Sequence, residues 1–340
     1  MFLETKRFLK CVIGIVLMCG CIESVLAIEN ATTFDDFPKA RQLKYPDWFK
    51  QSFLDLPEEL QAAEKEGKIG IIVYFGQENC AYCEALLNIN FKTQKDIVAY
   101  TQRFFDVIPI AIWGNLEVTT VDNQKLTEKA FSDREKTNFT PSLIFYNTKG
   151  EEIFRMRGYY PPYRFRAALD YMVGEYYRQE TFKHFLERAE VGMVFAEEGL
   201  NEDNVFSLPP FVLDRHLKTG ERPLMVVFEQ SNCHACDLFH SDLLKNANIR
   251  ALLSRFDVVQ LNIWGETPLI TPQGQRKTAA QWANELGLFY TPTVLFFDEQ
   301  GNEIIRIDST VQLYRLSRVL KYVSDKIYLQ YPIFSRWSHE

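Results

Sequence analysis

Cysteine is scarce where it would matter for a stapled fold. The chain has seven in 340 residues, and three of them, Cys11, Cys19 and Cys21, fall in an apolar N-terminal run. The other four form two C-x-x-C pairs, Cys80 with Cys83 and Cys233 with Cys236, so no disulfide framework is available. A chain of this length, 46% hydrophobic and 14% aromatic, can build its core without one, and its composition excludes disorder. Clustered basic charge is also missing. The net charge is −7 and no Lys/Arg cluster follows the extreme N-terminus, which excludes nucleic acid as a partner. Histidine is thin: His184, His216, His240 and His339 have no ligand spacing among themselves, and each reads as a surface or capping residue.

The one conspicuous apolar run, "CVIGIVLMCG", follows Lys6, Arg7 and Lys10. It is short for a membrane span and reads as an export signal over residues 1–27. Cleavage after Ala27 in "VLA" fits better than a lipoprotein-type site at Cys21, because Met18 and Cys19 suit a lipobox poorly. A lipid anchor at Cys21 or an uncleaved signal would tether the same protein to the membrane. "WSHE" is no retention ending, and a glycan on the sequon Asn138-Phe139-Thr140 would crowd a Thr-Pro loop. Both favour a bacterial periplasm over a secretory lumen.

What is present is present twice. "VYFGQENCAYCEALL" from Val73 returns as "VVFEQSNCHACDLFH" from Val226, and "NFTPSLIFYNTKGEEIFR" returns as "FYTPTVLFFDEQGNEIIR". Cys80 and Cys233 are 153 apart, whereas Trp113 and Trp264, or Pro141 and Pro292, are 151 apart, so one two-residue deletion separates the copies. A copy this long is a whole domain. Each reads as strand, C-x-x-C, helix, strand ending in Trp-Gly, polar excursion, helix, Thr-Pro strand, hairpin and final helix. That is an α/β class with two tandem domains, each a mixed sheet flanked by helices. The expected boundaries are 28–180 for the first domain with an N-terminal extension, 181–205 for a linker helix and loop, and 206–340 for the second. "LPEELQAAEKEG" is the first helix, with Pro57 in its first turn.

The C-x-x-C pairs admit three readings. Four thiolates on one zinc ion would require two domains to present their helix ends to each other. A structural bridge closing so short a loop removes almost no unfolded-state entropy. The third reading uses the setting: a cysteine at the mouth of a helix faces unpaired N–H groups and the positive dipole end, which stabilise its thiolate. The next cysteine, three positions on, can then resolve a mixed disulfide. Cys80 and Cys233 attack; Cys83 and Cys236 resolve. No cofactor beyond these two redox-active disulfides is called for.

This order of elements resembles the thioredoxin fold. "FEQSNCHAC" with "FDVVQLNIWGE" and "FYTPTVLFFDEQG" is similar to the SoxW-type thioredoxins, exported proteins associated with bacterial sulfur oxidation. The resemblance implies cis peptide bonds at Thr140-Pro141 and Thr291-Pro292 and pairing of the threonine backbones with a bound substrate chain. It implies reduction of cysteine-containing periplasmic proteins, with electrons drawn from a membrane thiol-disulfide donor. The chain departs from general thioredoxins in carrying Asn79 and Asn232 before the first cysteines, and Tyr74 and Val227 where a buried Asp stands. Glu229 is a candidate proton acceptor, although a solvated loop acid is its plainer reading, and the first copy has Gly76 there.

His234 would place a charge or a donor N–H beside Cys233 and make the second disulfide the stronger oxidant, with the first pair at lower potential. Trp113 and Trp264 read as packing platforms or docking residues, and the tyrosines of "RGYYPPY" as a partner surface or the start of a helix. The rival functions are a soft-metal (copper) chaperone, which lacks a Met or His cluster near either pair, and a thioredoxin-fold scaffold or holdase.

Overall fold

The computed structural model describes residues 33–189 and 199–337. The signal segment with Cys21 and Ala27, His339 and part of the expected linker lie outside these residues. In the first domain, α1 (Leu56–Lys65) starts at Asp55, whose carboxylate accepts the Glu58 N–H at 3.0 Å. Strand β1 (Gly70–Gly76) follows, then α2 (Ala81–Ala85), which passes into a π-helical turn over Leu86–Thr93, and α3 (Lys95–Phe104). β2 (Phe105–Ala111), the short strands β3 (Glu117–Thr119) and β4 (Lys125–Thr127), α4 (Glu128–Arg134), β5 (Ser142–Asn147), β6 (Glu152–Arg157), α5 (Pro162–Val173) and α6 (Phe182–Ala189) complete it.

The main sheet runs β2-β1-β5-β6, with β1 parallel to β2 and antiparallel to β5. Every residue of β1 is buried, as a central strand covered by helices on both faces requires.

The second domain repeats the plan. β7 (Phe211–Val212), β8 (Leu224–Glu229), α7 (His234–Leu238) with a π turn over Phe239–Leu244, α8 (Ala247–Leu253) and β9 (Asp257–Asn262) come first. β10 (Pro268–Ile270), β11 (Arg276–Thr278), α9 (Ala279–Glu285), β12 (Thr293–Phe297), β13 (Glu303–Ile307), α10 (Leu313–Ser324) and α11 (Phe334–Trp337) follow. Its sheet order, β13-β12-β8-β9, matches the first. The π turn has eight residues in the first domain and six in the second, which takes up the two-residue deletion. The polar excursions are not open loops. Each folds as a small antiparallel pair, β3 with β4 and β10 with β11.

The two domains pack face to face through equivalent surfaces. Phe139 is buried in a core cluster of the second domain, and Tyr290, its counterpart 151 residues on, in one of the first. Arg336 of α11 stacks 4.4 Å from the Trp113 ring centre and donates to Ile112 O at 2.7 Å and Asp133 Oδ1 at 2.6 Å. Lys183 of α6 stacks 4.1 Å from the Trp264 ring centre and donates to Ile263 O at 3.1 Å and Asn284 Oδ1 at 2.7 Å. Each acceptor and ring recurs at the same offset of 151, so the clamp is one arrangement used twice.

Where the pseudo-two-fold axis passes, a residue meets its own counterpart. Thr310 N donates to Tyr159 O at 3.1 Å, and a Cβ added to Gly158 would lie 2.0 Å from Ser309 Oγ. Tyr159 and Tyr160 are therefore interior, with Tyr160 Oη donating to Asp308 O at 2.7 Å. The segment expected to be a linker begins as α6, whose Phe182, Phe185 and Leu186 belong to the first domain's core.

Candidate active site

Each C-x-x-C occupies the same local frame. Asn79 and Asn232 have φ of +59° and +53°, a left-handed conformation that Asn tolerates better than bulkier residues, and this turns the chain from the strand into the helix. Cys80 and Cys233 are then the N-cap residues of α2 and α7. Their sulfurs accept the N–H of Cys83 at 3.0 Å and of Cys236 at 3.1 Å, so each first cysteine sits on the unpaired N–H groups that would stabilise its thiolate. Both pairs are disulfide-bonded, with Cα atoms 5.2 Å apart.

The Thr-Pro loops lie against the sulfurs. Cys80 Sγ is 3.3 Å from Thr140 Oγ1 and 3.5 Å from Thr140 O, and Cys233 Sγ is 3.5 Å from Thr291 Oγ1. The Thr140–Pro141 and Thr291–Pro292 peptide bonds are cis, as is Pro209–Pro210. Gln77 and Gln230, each two residues beyond its strand's last aromatic residue, accept from Trp113 and Trp264 Nε1 at 2.8 and 3.1 Å.

The two mouths differ. In the first, the residues between the cysteines are covered, Ala81 at 7% and Tyr82 at 4% exposure, and Thr140 is buried at 2%. In the second, His234 is exposed and Ala235 and Thr291 are half-buried. The cover over the first mouth comes from α10 of the other domain. The Arg315 guanidinium lies 3.3 Å from the Tyr82 ring centre and its Nη2 donates to Thr140 O at 2.9 Å. Asp36 ties this together, accepting from Tyr82 Oη at 2.8 Å, Tyr314 N at 2.9 Å and Arg315 N at 2.8 Å. Burial pushes the Tyr82 phenol well up and draws the Arg315 guanidinium down. The N-terminal extension borders the other flank, where Arg41 N donates to Asn79 Oδ1 at 2.9 Å, Asn79 N returns a bond to Arg41 O, and a cavity of about 710 Å3 between the extension and the π-helical turn also reaches Cys80.

Glu229 is not a solvated loop acid. It is the last residue of β8, 0% exposed, with His240 Nε2 3.1 Å from both carboxylate oxygens and Gln260 Nε2 donating to Oε2 at 2.5 Å. His240 is accordingly buried at 7%, not a surface residue, because an interior carboxylate needs a polar partner. In the first domain Gly76 holds the equivalent place and the Tyr74 ring fills the space, 2.5 Å from where a Cβ would stand. Among the described residues, no group of three or more His, Cys, Asp or Glu gathers as a metal site.

A family model described as a thioredoxin-like domain matches residues 56–173 and again residues 212–324. The chain belongs to this thioredoxin-like family. Its two cysteine pairs, each at a helix mouth beside a Thr-Pro loop, make it a thiol-disulfide oxidoreductase. No curated protein matches the chain.

Among solved structures, a thioredoxin-fold protein from Helicobacter pylori is 19% identical, covering 42% of this chain and 91% of its own, with a TM-score of 0.35. A thioredoxin from Thermus thermophilus is 23% identical over 35% of this chain and 84% of its own, with a TM-score of 0.28. The oxidised C-terminal domain of DsbD from Neisseria meningitidis is 16% identical over 30% and 81%, with a TM-score of 0.24.

The residues that sequence reasoning missed in this thioredoxin-like pair are Arg315 and Asp36. Arg315 carried a signal, since Arg164 stands 151 residues before it at the start of α5. Asp36 carried none, being the second of two adjacent acids ahead of the first repeat, with nothing local to link it to the site.

Proposed function

We propose that this protein is exported and acts in the periplasm mainly as a reductant of disulfides in cysteine-containing partners, in the manner of SoxW-type thioredoxins. The second site meets the partner. The observation that supports this is the contrast in cover: His234 is exposed and Ala235 half-buried, while Ala81 and Tyr82 are closed over. A partner chain must reach the residues around the attacking sulfur and pair with the backbone beside it.

The Cys233 thiolate attacks one sulfur of the partner disulfide, forming a mixed disulfide and releasing the partner's other thiolate. Cys236 then attacks Cys233 Sγ, which frees the second partner thiol and leaves Cys233–Cys236 oxidised. His234 at the helix start favours the thiolate of Cys233, so the second pair holds its electrons at higher potential and the first pair resupplies it, drawing on a membrane thiol-disulfide donor.

Insulin reduction by the mature protein, followed as turbidity with a chemical thiol as the electron source, tests this. Cys233→Ser should drop to the uncatalysed rate and Cys80→Ser should retain most activity when electrons reach the second pair directly. The reverse order of effects would overturn the assignment of the protein-facing site. A holdase would keep its function in protein carrying both Cys80→Ser and Cys233→Ser, and the reading would then give way to that one.

A further inference from the structure

Two cavities border Cys80. The one between the domains, about 260 Å3, includes Thr140, whose carbonyl already accepts from Arg315 Nη2 at 2.9 Å, so the backbone beside this Thr-Pro loop is not free to pair with a partner chain. The larger, about 710 Å3, is a groove between residues 41–48 and the helix that runs from Cys80 through the π turn. Cys80 lines it at 7% exposure and Cys83 is fully buried, so the attacking cysteine borders this approach and the resolving one does not.

The groove is apolar inside and basic at its rim. Leu87 and Phe91 line it as buried residues and Leu43 and Trp48 as half-buried ones, with Trp48 Nε1 donating to Phe91 O at 3.2 Å. Four cations and two acids line it, in a chain whose net charge is −7. Arg41 and Glu84 pair with each other at 3.0 Å, which leaves Lys44, Lys92 and Lys95 against Asp47. The three lysines are exposed, and among the described residues none of their ammonium groups has an ion pair or hydrogen bond.

The extension also offers backbone. From Gln42 to Tyr45 exposure alternates, Gln42 and Lys44 outward, Leu43 and Tyr45 half-buried, as in a strand with one packed face. Leu43 N donates to Glu78 Oε2 at 2.8 Å, but the main-chain groups of Gln42 and Lys44 make no hydrogen bond among the described residues. Such a segment can pair with an extended chain through its backbone, while the rim charges select which chain arrives.

We propose that this groove docks an extended acidic segment of the protein that supplies electrons to the first pair, its acids on Lys44, Lys92 and Lys95 and its cysteine at Cys80. This rests on the thiol-disulfide reading above and names the entry and the partner chemistry of its first site. Cys80 and Lys92 lie at opposite ends of a helical run of roughly 18 Å, which an extended chain crosses in about six residues. One donor thiolate attacks Cys80 Sγ and Cys83 leaves as its thiolate; the second donor thiolate then attacks the donor sulfur of the mixed disulfide and Cys80 leaves. The donor becomes a disulfide, the first pair a dithiol, and the two donor thiol protons end on Cys80 and Cys83.

The test uses the mature protein with Cys233→Ser and Cys236→Ser, its first pair oxidised, and three dithiol peptides that share one apolar C-x-x-C sequence. They differ only in a run of Glu, Gln or Lys placed about six residues from the first cysteine. Each reduction rate, read from the mass of the alkylated pair, is divided by the same peptide's rate with bis(2-hydroxyethyl) disulfide, which removes differences in thiol pKa. At low salt the normalised rate should be about tenfold higher for the acidic peptide than for the basic one, converging near ~1 M salt, where the screening length is ~3 Å. Lys92→Glu with Lys95→Glu should abolish or invert the preference. Lys65→Glu with Lys149→Glu, the same charge change on exposed lysines outside the groove, should leave it intact.

Equal normalised rates, or an equal effect of the two lysine pairs, would overturn the proposal while leaving a working oxidoreductase. So would a pair reduced by dithiothreitol but by none of the peptides, or peptide rates that fell together as protein concentration rose, which would mark a second copy in the groove. If dithiothreitol also failed, the exchange reading of this site would fall with it. The charge series on the unaltered groove decides even where a lysine variant does not fold.

Discussion

Lys183 shows how a single side chain can be held in place at a cost. Burial draws its ammonium down to about 8, although it stacks on Trp264 and donates to Ile263 O and Asn284 Oδ1. The folded value lies below that of the unfolded chain, so between about pH 8 and the ordinary lysine range of ~10.4 the unfolded state binds more protons. Stability contributed at this residue therefore rises as pH increases through that window and is lowest below it. A Trp264 emission change with a midpoint near pH 8, absent in Lys183→Met, is the expected signature. The difference in unfolding free energy between wild type and Lys183→Met should shift toward wild type over the same range.

Asn232 gives a second residue-scale outcome. At φ +53° a β-branched side chain is strained, so Asn232→Val should lose about 1–2 kcal/mol in denaturant unfolding while Asn232→Gly stays close to wild type.

Among the elements, the loop between β6 and α5 carries the interface. Gly158 has φ +101° and sits against Ser309 near the pseudo-axis, so Gly158→Ala meets both a strained backbone and a buried neighbour. The loss should be about 1–3 kcal/mol in denaturant unfolding, with added hydrogen exchange at the Tyr159–Thr310 contact.

The order of these elements was legible because the chain repeats them, and β-branched runs ending in a C-x-x-C or opening at Thr-Pro leave strong local patterns. The small hairpins were not, because three-residue strands such as Glu117–Thr119 are too short and too polar to show an alternation. Glu229 reads as a turn acid because it follows an apolar run, and the buried His240 that receives it lies eleven residues away with nothing local to link them. The interface was half legible: Trp113 with Trp264, and Arg164 with Arg315, recur at one offset. Recurrence, however, marks equivalent positions and does not reveal that equivalents face each other.

On the scale of the whole molecule, the face-to-face packing makes access to the first site a property of the domain arrangement. Its cover from the other domain is α10 over Tyr82 and Thr140, beside the N-terminal extension that bonds Tyr82 and Asn79, and α11 is the strap that holds α10's domain in place. Arg336 donates to Asp133, Ile112 O and Lys129 O, while Phe334 N donates to Asn138 Oδ1 beside the Thr-Pro loop. Removing the Arg336 guanidinium takes the nearer of two cations from Trp113, leaving Lys129 at 5.7 Å, and deprives three acceptors on the first domain of this donor. The folded domains each retain their own sheet and core, so loss of the strap shifts the balance toward open arrangements without unfolding either.

In protein carrying Cys233→Ser and Cys236→Ser, Arg336→Ala should therefore give the first pair a measurable rate with insulin and raise hydrogen exchange around Thr140. If exchange rose and insulin still failed to react, the limit would lie in the first site itself and not in its cover.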